Sequence, residues 1–293
     1  MILVAGSANL DFVVQAPHIP APGETVLGRD FKTYPGGKGA NQAIACARAG
    51  NASTQMLLAL GNDPFAQPIQ ESLRRAGVRM YVVHVEDQPT GTAFICVSDD
   101  AENAITVAPG ANNALRAEHL PSLAGYSHLL LQLETPLETV IAYARAAREH
   151  GVKVVLNAAP ARPLPEELLS LLDVLVVNKG ELASVSALDG SIEQCMQQIN
   201  VPCIVVTLGE RGCVARANGE LIVQDAFAVT PVDTTAAGDT FCGVLVAALD
   251  RGAQLPEALR MANAAGALAC TRLGAQSSIP THTELQDFLA QHA

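Results

Sequence analysis

The chain is predicted to be an α/β protein, a doubly wound and mostly parallel sheet flanked by helices, with a small β-sheet beside it. Three observations predict this. Short aliphatic runs recur along the chain, several apolar at consecutive positions, as strands covered on both faces require. Segments mixing Ala, Leu, Glu and Arg at helical spacing lie between them, and that alternation implies a parallel sheet with helices on both faces. Two regions, 12–34 and 80–108, break the rhythm with alternating, half-exposed strand patterns and no convincing helix.

The first strand is Ile2–Ala5. Residues 12–34 then hold Pro17, Pro20, Pro22 and Gly23 ahead of the strand-like Thr25–Tyr34. A helix over Ala40–Ala49, a strand over Gln55–Leu60 and a helix over Phe65–Ala76 follow. Residues 80–108 contain Tyr81–Val85, Thr92–Val97 and Ala104–Ala108 between polar turns. With 12–34 they are expected to form a small antiparallel sheet, which either offers an apolar face to a partner or closes over a site as a lid. The main rhythm resumes with strands His128–Gln132, Lys153–Asn157, Val174–Val177 and Cys203–Thr207. Between them lie helices over Leu137–His150, Glu166–Leu171 and Gly180–Ala187. Asn218-Gly219 marks a type I′ hairpin. Two Ala-rich helices, about 240–251 and 255–272, follow the segment Asp233–Asp239. No internal repeat or low-complexity linker divides the chain, so 1–293 reads as a single domain.

Composition narrows the function classes. Of 293 residues 49% are hydrophobic and 16% charged, the opposite of a disordered chain. The formal net charge of −11 argues against a surface that tracks nucleic acid or anionic lipid, while leaving room for one backbone-lined anion site. Cysteines 46, 96, 195, 203, 213, 242 and 270 are scattered without a C-x-x-C pair and read as free thiols in a reducing compartment. The N-terminus has no basic segment before its apolar run, and no stretch approaches the ~18 apolar residues of a membrane span. A cytoplasmic protein is expected.

Three motifs carry chemistry. In Pro35-Gly36-Gly37-Lys38-Gly39-Ala40-Asn41-Gln42, closely spaced glycines let backbone approach a ligand, and Asn41 opens the next helix with an amide. It is no Walker loop, because Gly39 stands where Ser or Thr should hold the metal and Lys32 where the first Gly should be. It is no dinucleotide fingerprint either: the third Gly is missing and no strand is expected to run directly into it. A plain tight turn remains the alternative.

In Asp233-Thr234-Thr235-Ala236-Ala237-Gly238-Asp239, small residues expose consecutive N–H groups at a helix start, where an anion is favoured. Asp239 suits a proton acceptor beside a phosphoryl group, or a simple cap. Asn178 and Glu181, one turn apart after an apolar strand, suit either a hydrated Mg²⁺ or a cap with a surface Glu. Asn9, Asp11 and Glu134 add polar groups at strand ends, of the kind that bind hydroxyl-rich ligands.

Together these segments resemble the PfkB-type sugar kinases, and within them the ribokinases, over essentially the full length. The resemblance runs through Gly6-Ser7-Ala8-Asn9-Leu10-Asp11, Pro22-Gly23-Glu24-Thr25, Gly36 to Ala43, Leu133-Glu134-Thr135-Pro136, Asn157-Ala158-Ala159-Pro160-Ala161, Thr207 to Gly212, Asp233 to Asp239 and Arg272 to Gln276. It implies a ribokinase-like fold and ATP-dependent phosphorylation of the 5-hydroxyl of D-ribose. By the same resemblance Asn9, Asp11, Gly37, Lys38, Asn41 and Glu134 surround the sugar, Asp239 is the general base, and Ala236, Ala237 and Gly238 form an anion hole. It implies that Asn178 and Glu181 hold Mg²⁺ through water and that Asn178, Thr207, Gly209, Gly212, Gly238 and Asn263 line the ATP side. A K⁺ activator would sit among Asp233, Thr235, Ala269, Arg272, Gly274 and Ser278. The strands of 12–34 and 80–108 would be a lid that also joins two subunits as a homodimer.

Departures are visible at Lys179 and Gly180, where these kinases more often carry Glu and Thr, and in a short 188–203. Kinases of deoxyribose, nucleosides or other sugars remain alternatives, as does a non-catalytic sugar-binding protein.

Overall fold

The computed structural model describes residues 1–100 and 102–292. In chain order its elements are β1 (Ile2–Ala5), β2 (Asn9–Ala16), β3 (Arg29–Gly36), α1 (Lys38–Ile44), β4 (Thr54–Gly61), α2 (Ala66–Arg75), β5 (Arg79–Val85), β6 (Gly91–Ser98) and β7 (Asn103–Ala108). There follow β8 (His128–Leu131), α3 (Leu137–Glu149), β9 (Lys153–Asn157), α4 (Glu166–Leu171), β10 (Val174–Asn178), α5 (Lys179–Ser186) and α6 (Ile192–Gln197). The chain ends with β11 (Cys203–Thr207), β12 (Cys213–Ala217), β13 (Glu220–Gln224), α7 (Ala237–Asp250), α8 (Leu255–Cys270), α9 (Ala275–Ser278) and α10 (His282–Gln291).

Nine strands form the main sheet in the order β13-β12-β11-β10-β9-β8-β1-β4-β5, parallel from β11 through β5. Its apolar runs are explained by two-sided burial. Ile2 and Val4 enter one core with α1, α7 and α8, while Leu3 and Ala5 enter the other with α3 and α5. Strand order reverses around β1, whose neighbours are β4 on one side and β8 on the other. Open parallel sheets bind ligands outside the carboxyl ends of their strands at such a reversal. Gly6–Asn9 after β1 and Gln132–Glu134 after β8 lie there.

The four-stranded second sheet, in the order β3-β2-β6-β7, corrects two expectations. It is mixed rather than antiparallel, because β2 pairs with β6 in parallel. Residues 79–85 are no part of it; β5 pairs with β4 at the edge of the main sheet. An edge strand covered on one side shows the same alternation of burial as a strand of the small sheet, which hides the difference in sequence. The strand expected within 12–34 is preceded by one that begins at Asn9, before residue 12.

A third correction concerns Gly37. β3 does run directly into α1, with only Gly37 between them, although it arrives from the small sheet. The helix opens at Lys38, which places Asn41 inside it rather than at its start. α1 then continues as a π-helical turn over Ala45–Ala49, and the last long helix, α8, ends at Cys270. The Asn218-Gly219 hairpin has positive φ at both central residues, as type I′ requires. All seven cysteines are unpaired. No helix among the described residues is long and apolar enough to cross a membrane.

Candidate active site

The first layer of the site is set by glycines that let backbones touch. Gly37 has φ of 88°, and a Cβ there would stand 2.8 Å from Ala8 Cα and from Asn9 N. A Cβ on Gly39 would stand 2.6 Å from Ser7 N. The start of α1 is thereby pressed against the end of β1, and Glu134 ties it to the end of β8. Its Oε2 accepts from Ser7 Oγ at 2.6 Å and from the Lys38 backbone N–H at 3.1 Å. Three chain segments that are distant in sequence thus meet at the reversal point of the sheet.

Asp239 lies in the first turn of α7 and is 7% exposed. Its two carboxylate oxygens accept from Asn41 Nδ2 at 3.0 Å and Gln42 Nε2 at 2.9 Å. Gln42 sits in a buried amide chain of fixed polarity. Its Nε2 donates to both Asp239 Oδ1 and Asn157 Oδ1 at 2.9 Å, and its Oε1 accepts from Gln132 Nε2 at 2.7 Å. A carboxylate only accepts, and Asn157 spends its own Nδ2 on Val176 O, so each amide can point only one way. The ends of β8 and β9 thereby orient the carboxylate.

Asn9, also buried, accepts from Asn112 Nδ2 at 2.8 Å. Asn112 is held in turn by the backbone of Ala8. Asn112 and the roles of Gln132 and Gln42 are absent from the sequence reading. A buried amide in a polar loop carries no periodic signal, and only Gln42 lay inside a recognisable motif.

The electrostatics place the remaining groups. Burial, aided by Glu134 and Asp239, pushes the Asp11 carboxyl up to about 7. Asp239 holds the half-buried Lys38 ammonium above its ordinary value; burial opposes this, and Glu134 and Glu181 assist it. Burial also raises Glu181 despite the Asn178 backbone hydrogen bond and Lys38, with Asp239 adding to the rise. Asp11, Lys38, Glu134, Glu181 and Asp239 therefore share one electrostatic site.

Asn178 and Glu181 form a reciprocal capping box on α5, each bond 2.8 Å. They are the cap that the sequence offered as one reading, but Glu181 is 8% exposed, not a surface residue, and its Oε1 stays free of that bond. Thr207 pairs beside Asn178 at the strand ends. Gly209 and Gly212, both with positive φ, close a tight turn after it. Asn263 lies at the same end, its Nδ2 spent on Gln224 O at 3.2 Å, so it braces β13 with that atom.

At the start of α7, Ala236 takes a left-handed conformation, with φ 59° and ψ 9°, and turns the chain into the helix. The Ala237 N–H donates to Thr234 O at 3.2 Å. A Cβ on Gly238 would meet no protein atom within 4 Å. The fold itself therefore does not require glycine there.

Asp233 fastens this turn to the one after α8. Its oxygens accept from the Thr235 N–H at 2.9 Å and the Gly274 N–H at 2.8 Å. Burial pushes its carboxyl up, but these hydrogen bonds outweigh it and hold the group below its ordinary value. Ser278 is buried nearby in sequence with its hydroxyl on Ala275 O. The Ala269 carbonyl accepts from the Arg272 N–H, and the Arg272 side chain turns to Glu284 at 2.7 Å.

The chain is similar to known proteins over its whole length. Residues 1–282 match the pfkB family carbohydrate kinases. The chain is 38% identical to a ribokinase of Haemophilus influenzae, covering 100% of this chain and 99% of that one. It is also similar to the crystal structure of a ribokinase from Thermotoga maritima, with a TM-score of 0.91 and 36% identity over 99% of each chain. A structure of Arabidopsis thaliana ribokinase complexed with ribose and ATP superposes with a TM-score of 0.89 at 34% identity, covering 98% of each chain.

Proposed function

The chain belongs to the pfkB family of carbohydrate kinases, and from that premise we propose that it transfers the γ-phosphoryl group of ATP to the 5-hydroxyl of D-ribose, with Asp239 as the general base. The observation that carries this reading is the Asp239 carboxylate, held by two side-chain amides in the first turn of α7, in one electrostatic site with Asp11, Lys38 and Glu134.

The carboxylates and amides of Asn9, Asp11, Asn41 and Glu134 suit a ligand rich in hydroxyls. Asn41 Oδ1 is buried without a partner among the described residues, so a sugar hydroxyl donating to it would remove an unsatisfied acceptor. Asp239 takes the proton of the attacking hydroxyl as its oxygen bonds to phosphorus and the bond to the leaving ADP oxygen breaks. The backbone N–H groups of Ala236 and Gly238, joined by that of Ala237 once it leaves its 3.2 Å bond to Thr234 O, and the dipole of α7 stabilise the charge that develops on the transferring group. Glycine at 238 costs helix stability and is not required by packing, so the close approach of phosphate supplies its reason.

The residues fit a divalent cation. Glu181 is buried, with one oxygen outside its capping bond and Asp239 repelling it. No three His, Cys, Asp or Glu side chains converge as a direct metal cluster among the described residues. Asn178 and Glu181 would therefore hold Mg²⁺ through water, where it neutralises phosphate charge. The Asp233 carboxylate, which pins the turn before α7 to the turn after α8, has the charge to attract a monovalent cation, and K⁺ there would stiffen the loop that carries the anion hole.

Thr207, Gly209, Gly212 and Asn263 line the ATP side in this reading. The small sheet acts as a lid and joins two subunits. Val107 and Ile105 share the face of Asp11 by register and are 41% and 55% exposed, which suits a covering partner.

The test is Asp239→Asn. Turnover in an ADP-release assay with ribose should fall at least ~1,000-fold, while calorimetric ribose affinity stays within a few-fold. Near-normal turnover would remove Asp239 from the base role.

A further inference from the structure

A second cavity, of about 690 Å³, opens at the root of the small sheet, between the end of β3, the face of α2 and the α9 turn. Arg48 and Arg75 both line it, from the π-helical turn after α1 and from the end of α2. Neither guanidinium makes an ion pair or a hydrogen bond among the described residues, in a chain with 11 surplus negative charges. Gln276 also lines the cavity and is 7% exposed. Its Oε1 accepts from the Ser72 hydroxyl, but its Nε2 has no partner. An unsatisfied buried donor costs roughly 1–3 kcal/mol, so it is retained where something else repays it.

Two guanidiniums without partners and a free amide donor select an oxyanion, and the charge and oxygen count of a phosphate dianion suit two guanidiniums best. Glu71 on α2 and Tyr34 on β3 also line the cavity and add an acceptor and a phenol suited to hydroxyl groups. The cavity touches three segments that build the catalytic site. Tyr34 and Pro35 lead into Gly36–Gly39, Arg48 continues the helix that carries Asn41 and Gln42, and Gln276 lies two residues beyond the Gly274 N–H that holds Asp233.

We propose that this cavity is an effector site for a small sugar phosphate, gripped by Arg48 and Arg75, whose occupancy changes sugar affinity at the catalytic site. The coupling is reciprocal, as linkage requires.

The experiment is a calorimetric titration of ribose 5-phosphate into chain saturated with ribose and β,γ-methylene-ATP, which fill the catalytic site. Ribose binding is measured first, so that its failure reports on the reaction assigned above and not on the cavity. One further equivalent of ribose 5-phosphate should bind. Arg48→Gln and Arg75→Gln should each weaken it at least tenfold while leaving the unfolding midpoint and the ribose affinity of the effector-free chain unchanged. Ala76→Leu, which narrows the cavity without touching a cation, should do the same and carries the test if Arg48→Gln does not fold. Ribose affinity should shift at least twofold when the effector is present. Absence of the second equivalent, or binding indifferent to all three substitutions, would overturn the proposal. Equal affinity for inorganic phosphate would overturn the assignment to a sugar phosphate.

Discussion

Gly238 and Asp11 separate what the fold needs from what the reaction needs. At Gly238 a side chain has room, and Ala is worth roughly 0.5–1 kcal/mol more than Gly inside a helix. Gly238→Ala should therefore leave the unfolding midpoint equal or higher while lowering kcat at least ~100-fold, the scale of a lost oxyanion donor. Calorimetric melting and steady-state rates on one preparation check both halves. Asp11 gives a pH signature. Its carboxyl is raised to about 7 from 3.8, so between those values the folded chain holds a proton that the unfolded chain has released. Stability of the sugar-free protein should thus fall as pH rises through that window, and Asp11→Asn should flatten the slope. Ribose, donating hydroxyls to the ionised form, should bind about tenfold tighter at pH 8 than at pH 6; pH-independent affinity would remove Asp11 from the sugar site. Asp11, Asn41 and Asp239 were legible in the sequence because each sits in a motif. Asn112 and Gln132 were not, since their importance lies in hydrogen bonds made across 103 and 90 residues of chain.

The geometry around Asp239 depends on how α1 meets α7. A Cβ on Gly243 would stand 2.5 Å from Ala45 Cβ and 2.6 Å from Gln42 O, so the two helices are in backbone contact beside the amide that orients Asp239. Gly243→Val should force them apart, lower stability by about 1–3 kcal/mol as overpacking does, and reduce kcat more than it raises KM for ribose. Denaturant unfolding with parallel kinetics distinguishes this from simple destabilisation, which would leave the specific activity of the folded fraction unchanged. The α7 segment was readable from its apolar density, but its contact partner was not, because helix pairing is a property of three-dimensional packing. α10 shows a signal that was present and passed over: Thr281 and Glu284 form a capping box spaced as the pattern requires. β5 shows the opposite case, an edge strand whose alternation carries no mark of which sheet it joins.

Across the whole molecule, an acidic chain handles a polyanionic substrate by geometry more than by net charge. The −11 surplus lies alongside a site in which one ammonium, Lys38, faces Glu134, Glu181 and Asp239, and that imbalance is what a divalent cation bound there would offset. The reversal of strand order at β1 collects the ends of β1, β8 and β9 with the starts of α1 and α7, so the groups proposed to react stand on rigid elements. The alternation of strands and helices made this architecture legible from sequence, whereas the mixed pairing of the small sheet depends on long-range register that periodicity does not encode. The most direct measurement follows ¹³C-labelled D-ribose with ATP and Mg²⁺ by NMR. Phosphorus coupling should appear at C5 with stoichiometric ADP, and should be absent with Asp239→Asn. Phosphorylation at another carbon, or ADP release without a phosphorylated sugar, would contradict the assignment of Asp239 as the base for the 5-hydroxyl.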